Sequence, residues 1–184
     1  MTSLKHLFLI ALVISIAGCE RTEDLSSSAS KTEEAPDQIS FDATMTTTTK
    51  GLLTSKIIYH RMEKFSSQRI LKFLDGVEVT SYDAGKESST ARAEEATLDQ
   101  ASGDFELHGN VRVQTVDSLQ VFSETLVWND EEKKVRSDDF VTVVTAEMDT
   151  INGTGFESET TFGNWVIKKP SGVSQKKFTV DNDN

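Results

Sequence analysis

The chain has 184 residues, and its 19 lysines and arginines are outnumbered by 30 aspartates and glutamates, which gives a formal charge of -11 at pH 7. This composition excludes a nucleic-acid-binding protein, because such binding requires cations that replace the counterions condensed on phosphates. It also argues against a domain that lies flat on anionic lipid. Since the acidic residues are spread along the chain, they indicate a solvated surface.

The N-terminus has the features of an exported protein. Lys5 gives a basic start, residues 7–16 form an uninterrupted apolar run, and small residues precede the single cysteine, Cys19. The run is shorter than the ~20 residues of a membrane-spanning helix, and the residues before Cys19 resemble the bacterial lipobox. Residues 1–18 are therefore predicted to be a lipoprotein signal peptide, and Cys19 to be lipidated and to anchor the chain to a membrane. A plain signal peptide with an incidental cysteine, or an uncleaved anchor, is the alternative.

Composition divides the rest of the chain into three parts. Residues 20–50 are rich in Ser, Thr and Glu and show no helical or strand period. Residues 19–50, which begin at the cysteine, are therefore predicted to be a disordered tether with a reach of about 30 Å. Residues 51–172 are predicted to form one folded domain. Residues 173–184 are predicted to be a polar tail, in which Phe178 and Val180 could form an edge strand.

Within residues 51–172 the apolar side chains alternate along the chain. Phe105 and Leu107 share one parity, and so do Leu126 and Trp128. A period of two indicates half-buried strands, and the Thr, Val, Ile and Phe content of these segments suits a pleated surface. The best helix candidate, residues 91–96, lacks an apolar stripe. The domain is therefore predicted to be all-β, as a sandwich, barrel or jellyroll.

Turn signals occur at regular intervals between these segments, because Gly and Asn adopt the positive φ that tight hairpins require. The signals are Asp75-Gly76, Ala84-Gly85, Ser102-Gly103, Gly109-Asn110, Asn129-Asp130, Asn152-Gly153 and Phe162-Gly163. Three segments also resemble one another at a spacing of roughly thirty residues, as expected for stacked supersecondary units. These segments are residues 75–79, 109–113 and 139–143. Gly153 and Gly155 are interpreted as positions where a strand bends or bulges.

No residue pattern indicates catalysis or metal binding. His60 and His108 lie far apart and lack the spacing of a zinc site, and no nucleophile motif or Gly-rich phosphate loop is found. The carboxylates at residues 94–95, 130–132 and 138–139 are interpreted as solvated turns, because two of these clusters flank a turn, where acidic residues are common. No oxygen ligands alternate around a glycine, as a calcium site would require. The sequence therefore predicts no catalytic residue, no metal site and no cofactor.

Several segments together resemble the LptC family of the LptA/OstA-like superfamily. Residues 103–113 (GDFELHGNVRV) are similar to the repeated fxLxGnVxv unit of these proteins. Residues 122–129 (FSETLVWN) are similar to the strand that follows it, and residues 151–158 (INGTGFES) to the element that closes the unit. The resemblance covers most of residues 54–167, and its order and spacing are more specific than any single motif.

The resemblance implies a curved, open β-jellyroll of antiparallel strands, lined with apolar side chains and open at both ends. It implies a non-enzymatic periplasmic protein that binds lipopolysaccharide, receives it from the inner-membrane ABC transporter through LptF/LptG-like subunits, and passes it to an LptA-like bridge protein. The free sheet edges would join the partners by β-augmentation. Many family members carry an N-terminal transmembrane helix where this chain has a lipobox, so the membrane that holds the anchor stays open, with the inner membrane favoured by the resemblance.

The apolar residues of the matching strands are predicted to line the lipid-binding groove, and the alternative is that they fill a closed core. The predicted groove residues are Phe105, Leu107, Val111, Val113, Phe122, Leu126, Trp128, Val135, Val141, Val143, Ile151 and Phe156. Trp128 and Trp165 are expected at a rim, where an indole N–H reaches water. Two other functions are retained: a structural or adhesive β-rich envelope lipoprotein that binds no lipid, and a periplasmic hydrolase, which has no visible nucleophile.

Overall fold

The computed structural model describes residues 35–172, which form ten strands and no helix. The strands are β1 (Gln38–Thr49), β2 (Leu52–Phe65), β3 (Ile70–Asp83), β4 (Lys86–Ala93), β5 (Glu95–Asp99), β6 (Phe105–Thr115), β7 (Gln120–Asn129), β8 (Lys134–Val144), β9 (Thr150–Glu159) and β10 (Trp165–Ser171). The predicted signal peptide, Cys19 and the polar tail with Phe178 and Val180 lie outside the described residues.

All ten strands belong to one antiparallel sheet in which each strand pairs with the next one along the chain, except β4 with β5. β4 and β5 together occupy a single strand position between β3 and β6, interrupted at Glu94. The segment 91–96, the best helix candidate, is this interrupted strand. Within residues 35–172, β1 and β10 each pair on one side only, so the sheet is open at both edges. The all-β prediction is confirmed.

Irregularities in strand pairing line up across the middle of the sheet. The pairing shifts at Tyr59–Arg61 in β2, His108–Val111 in β6, Phe122–Val127 in β7 and Ser137–Phe140 in β8. In β9, Gly155 has a φ of 79° at the same level. Because a β-bulge bends its strand and increases the local twist, a line of bulges folds the whole sheet.

The fold along this line gives two facing layers. We call layer A the strand halves that meet in the turns at residues 50–51, 84–85, 116–119 and 145–149, and layer B the halves that meet in the turns at residues 66–69, 100–104, 130–133 and 160–164. Phe105 and Val113 would lie about 25 Å apart on a straight β6, yet both line one cavity of about 30 Å³. The core is built from side chains of the described residues themselves.

The structure corrects the predicted tether. Its last part, residues 38–49, is β1, which pairs with β2 along its length. The Asp37 N–H donates to the Lys64 carbonyl at 2.8 Å, and the Ser66 N–H donates to the Asp37 carboxylate at 2.5 Å. A strand at a sheet edge needs few apolar side chains because backbone hydrogen bonds hold it, so its composition is similar to that of a polar linker.

The structure also separates true turns from bulges. Ala84-Gly85, Ser102-Gly103, Asn129-Asp130 and Phe162-Gly163 lie at hairpin turns as predicted, whereas Asp75-Gly76, Gly109-Asn110 and Asn152-Gly153 lie inside β3, β6 and β9. Positive φ angles at Asp75 and Gly109 mark the bulges. The three repeated segments, residues 75–79, 109–113 and 139–143, therefore each contain a bulge followed by two inward-facing valines. One such segment lies in each of β3, β6 and β8.

Candidate functional site

The inner face of the folded sheet holds every predicted groove residue except Phe122. Phe122 pairs with Arg112 and Thr142 on the outer face, where it is half-buried and lies outside the core. The cause is the pairing shift between Phe122 and Val127, which inverts the alternation: Val121 is inward before the shift, and Leu126 after it. The assignment of Phe122 to the groove is wrong.

Towards the C-terminal edge, the inward residues are tightly packed. Val135, Val141, Val143 and Phe156 have no exposed surface, and Val111 has 1%. The ring of Phe156 lies 6.4 Å from those of Phe162 and Trp165, centroid to centroid, in stacked geometry. In this half of the domain the inward side chains form a closed core, as the alternative expected. Ile151 is 37% exposed and lies at the layer A rim.

Towards the N-terminal edge, the two layers enclose a cavity of about 570 Å³. This volume lies in the range of ligand-binding pockets. Two of the predicted groove residues, Phe105 and Trp128, line it, and the half-buried Trp128 lies near the rim as expected. A narrow extension of about 30 Å³ continues inward past Leu107, Val113 and Leu126.

Most of the cavity wall comes from residues that the sequence analysis did not assign to the groove. Met45, Ile57, Val79 and Leu98 are its apolar wall residues on β1, β2, β3 and β5. Met45 was hidden by the polar composition of the predicted tether, and the others lie outside the segments that carry the strongest family resemblance. The sequence signal that could have placed β2 in the cavity wall was the alternation of Ile57 and Tyr59.

The cavity rim on layer B is polar and carries a positive and a negative charge. Lys133 donates to the Asp130 carboxylate at 2.5 Å across the β7–β8 turn, and Gln100 and Gly103 complete this side. The mouth therefore presents hydrogen-bonding groups while the wall behind it is apolar. An amphipathic molecule matches this arrangement, with its apolar part inside and its polar part at the mouth.

Ion pairs on the outer face connect β8 with β9. Arg136 donates to Glu132 and, at 3.3 Å, to Glu157, and Lys134 also donates to Glu157. The Arg136 guanidinium lowers the pKa of the Glu132 carboxyl, and the Lys134 ammonium, followed by Arg136, lowers that of Glu157. The hydrogen bond to Glu132, followed by that to Glu157, raises the pKa of Arg136. Ion pairs at the protein surface add little stability individually, and these pairs lie on the face opposite the cavity.

Among residues 35–172 no group of three or more metal-ligating side chains occurs. His60 and His108 each lie beside a single carboxylate, Asp42 at 2.9 Å and Glu106 at 3.2 Å, and all four side chains are exposed. The two histidines are on different strands and do not share a site. In the same part of the chain, no helix is long and apolar enough to cross a membrane.

The sheet edge at β10 depends on a close contact at Gly153. A Cβ atom at this position would come within 2.4 Å of the Ile167 Cγ2 atom and 2.5 Å of the Lys169 carbonyl oxygen on β10. We expect Gly153→Ala to displace β10 and to lower the free energy of unfolding by about 2 kcal/mol, measured by urea unfolding. Gly163→Ala is the control, because its nearest neighbour would be 3.7 Å away. Equal stability of the two variants would contradict the expected clash.

Comparison with known proteins agrees with the fold. The sequence model of a family described as "Lipopolysaccharide-assembly, LptC-related" matches residues 6–168. The chain belongs to the LptC-related family. Its match begins within the predicted signal peptide and ends in β10, so it includes every strand that lines the cavity. A search of curated proteins gave no match.

A solved structure supports the jellyroll assignment for this LptC-related chain. It is LptH from Pseudomonas aeruginosa, described as the LptA homologous periplasmic component of the conserved lipopolysaccharide transport device. The two chains are 15% identical and superpose with a TM-score of 0.50 over 79% of this chain and 90% of LptH. At this identity the likeness establishes a shared fold, and the predicted curved, open β-jellyroll is confirmed.

Proposed function

We propose that this protein is a non-enzymatic, periplasmic lipopolysaccharide-binding and transfer component of the export machine. It receives lipopolysaccharide from the inner-membrane ABC transporter through LptF/LptG-like subunits and passes it to an LptA-like bridge protein. Cys19 carries the lipid that holds the chain to a membrane, with the inner membrane favoured. The observation that supports this proposal best is the apolar-walled cavity of about 570 Å³ between the layers of an LptC-related sheet.

The physical requirement for such a protein is the shielding of acyl chains. Each CH₂ group moved from an apolar environment into water costs about 0.8 kcal/mol, so a single acyl chain exposed to the periplasm is prohibitively unfavourable. Met45, Ile57, Val79 and Leu98 supply a wall that replaces the membrane. No residue pattern for catalysis or nucleotide binding is found in the sequence, so the energy for directional transfer comes from the transporter.

The test of this function is native mass spectrometry of residues 35–184 after incubation with lipopolysaccharide. We expect a stoichiometric adduct. A well-folded protein with no adduct would contradict the proposal. It would favour the second candidate, a structural or adhesive envelope lipoprotein. The fully packed interior around Val135, Val141 and Phe156 is the observation that supports this second candidate.

Transfer between proteins requires contact, and the open sheet edges are the surfaces proposed for it. β10 has no partner on its outer side among the described strands, so an edge strand of the LptA-like bridge protein can extend the sheet through backbone hydrogen bonds. Val166 on this strand is 53% exposed. Phe140, on the interior strand β8, is 59% exposed and offers a comparison at the same accessibility.

We expect a photo-crosslinking amino acid at position 166 to form an adduct with the bridge protein, and the same amino acid at position 140 to form little. Positions 166 and 140 differ in their distance from the open edge but not greatly in exposure. The readout is the yield of crosslinked complex on a denaturing gel. Equal yields at both positions, or adduct at position 140 alone, would contradict docking at the β10 edge.

A further inference from the structure

Four hydroxyl-bearing residues lie side by side on the inner face of layer A. Thr47 pairs with Ser55, Ser55 with Ser81, and Ser81 with Ser89, so the four cross β1 to β4 in register. We call them the hydroxyl row. Side chains directly opposite each other in antiparallel strands point to the same face with their Cβ atoms about 5 Å apart. The row is therefore a continuous line of hydroxyl groups.

The hydroxyl row runs from the open edge into the cavity. Thr47 is exposed, Ser55 and Ser81 are half-buried, and Ser89 is only 3% exposed. Thr47, Ser55 and Ser81 line the large cavity, and Ser81 and Ser89 line its narrow extension. A molecule that enters the cavity at the β1 edge therefore meets one hydroxyl after another along its path.

Within residues 35–172 none of the four side-chain hydroxyls forms a hydrogen bond to another protein group. Thr115, the next residue in register after Ser89, differs, because its hydroxyl donates to Asp117 and accepts from the Leu119 N–H at 3.1 Å. Hydroxyl groups that line a cavity without a protein partner are bonded to the solvent or ligand that fills it. The row is thus available to a ligand.

The chemistry of the row restricts what that ligand presents. A hydroxyl donates one hydrogen bond and accepts others, which suits sugar hydroxyls and the carbonyls of ester or amide linkages. Phosphates, in contrast, are held by Arg and Lys, and no cationic residue belongs to the row. Two residues further along each strand, away from the layer A turns, Met45 pairs with Ile57 and Ile57 with Val79. These three residues form an apolar row parallel to the hydroxyl row.

We propose that the hydroxyl row binds the uncharged sugar and acyl-linkage oxygens of an acylated sugar, while its chains lie against the apolar row and its charged groups stay outside. This inference rests on the proposed lipid-binding function and names the part of the ligand that enters the cavity. The row lies close to the β1 edge, so the binding site for these oxygens is on the N-terminal side of the domain.

The experiment compares two detergents with the same twelve-carbon chain, dodecyl maltoside and dodecylphosphocholine, as competitors for a fluorescent apolar probe bound to residues 35–184. The test variant is Ser55→Ala/Ser81→Ala/Ser89→Ala. The matched control is Thr80→Ala/Thr90→Ala, which removes two outer-face hydroxyls from β3 and β4. Both detergents are used below their micelle concentrations, and thermal unfolding is recorded for each variant.

We expect the unmodified domain and the control to prefer the maltoside, and the triple variant to lose about tenfold or more of its affinity for the maltoside while its affinity for the phosphocholine is unchanged. Because the replaced hydroxyls have no protein partner, the unfolding temperature of the triple variant should not fall. Equal affinities of the unmodified domain for both detergents, a retained preference in the triple variant, or its destabilisation would overturn the inference and leave the proposed function standing. Failure of both detergents to displace the probe from the unmodified domain would instead contradict lipid binding itself.

Discussion

Trp128→Asp is expected to weaken lipid binding by about a hundredfold without unfolding the domain. Trp128 is half-buried and lines the cavity beside Phe105. The substitution removes a large apolar contact, worth about 3 kcal/mol, and adds a charge that acyl chains avoid. Since the site opens to solvent, the new carboxylate can stay hydrated and the domain should remain folded. The measurement is the lipopolysaccharide adduct in native mass spectrometry, with circular dichroism as the check on the fold.

Two further variants make this result specific. Met45→Glu places a charge on the opposite wall of the same cavity, on β1, and should weaken binding to a similar degree. Val166→Glu adds the same charge at an exposed position away from the cavity and should leave binding unchanged. Normal loading in both Trp128→Asp and Met45→Glu would show that lipid does not enter between the layers at this edge.

Val143→Glu is expected to unfold the domain rather than to act on the ligand. Val143 has no exposed surface and lies on β8 between β7 and β9, opposite Val121 and Ile151. A carboxylate buried there without a partner costs more than about 4 kcal/mol, which is a large share of the 5–15 kcal/mol that stabilises a typical domain. The readouts are loss of the cooperative thermal transition and accumulation in the insoluble fraction.

Phe122→Glu is the matched control for Val143→Glu, because the sequence alone places both residues in the groove. Phe122 is on the outer face beside Arg112, where a glutamate can reach water and an opposite charge. Its cost should stay below about 1 kcal/mol, with a shift in unfolding temperature of a few degrees at most. If Val143→Glu were as stable as Phe122→Glu, the closed core at this end of the domain would be wrong.

Trp128 borders the cavity, whereas Val143 is packed in the closed core, and this difference restricts the passage of a lipid through the domain. The interior is accessible near β1 and packed near β10, so a lipid that enters at the β1 edge cannot reach the other edge while the core around Val135, Val141 and Phe156 stays packed. Passage through the domain therefore requires the two layers to separate on the C-terminal side. The bulges are the positions where the strands bend, and a change of angle there would widen the space between the layers.

The amino-acid sequence determined the strand content, the inward or outward direction of most side chains and the family. Alternation with a period of two assigns a face to each residue of a regular strand, and on that basis Phe105, Leu107, Leu126 and Trp128 were placed correctly. The family resemblance rests on the order of several segments and was confirmed by the family match over residues 6–168. The sequence also shows the three repeated segments, but it does not show that each of them contains a bulge.

Only the tertiary structure decided which inward residues face open space. A residue's parity is local, whereas the gap between the layers depends on where every strand bends, and the bulges that set the bend look like turns in the sequence. One such bulge inverted the parity before Leu126 and moved Phe122 outside. β1 was missed because an edge strand is held by backbone hydrogen bonds to its neighbour, for which its polar side chains give no signal. The cavity near β1 and the closed core near β10 therefore follow from the folding of the whole sheet, which no single segment of the chain encodes.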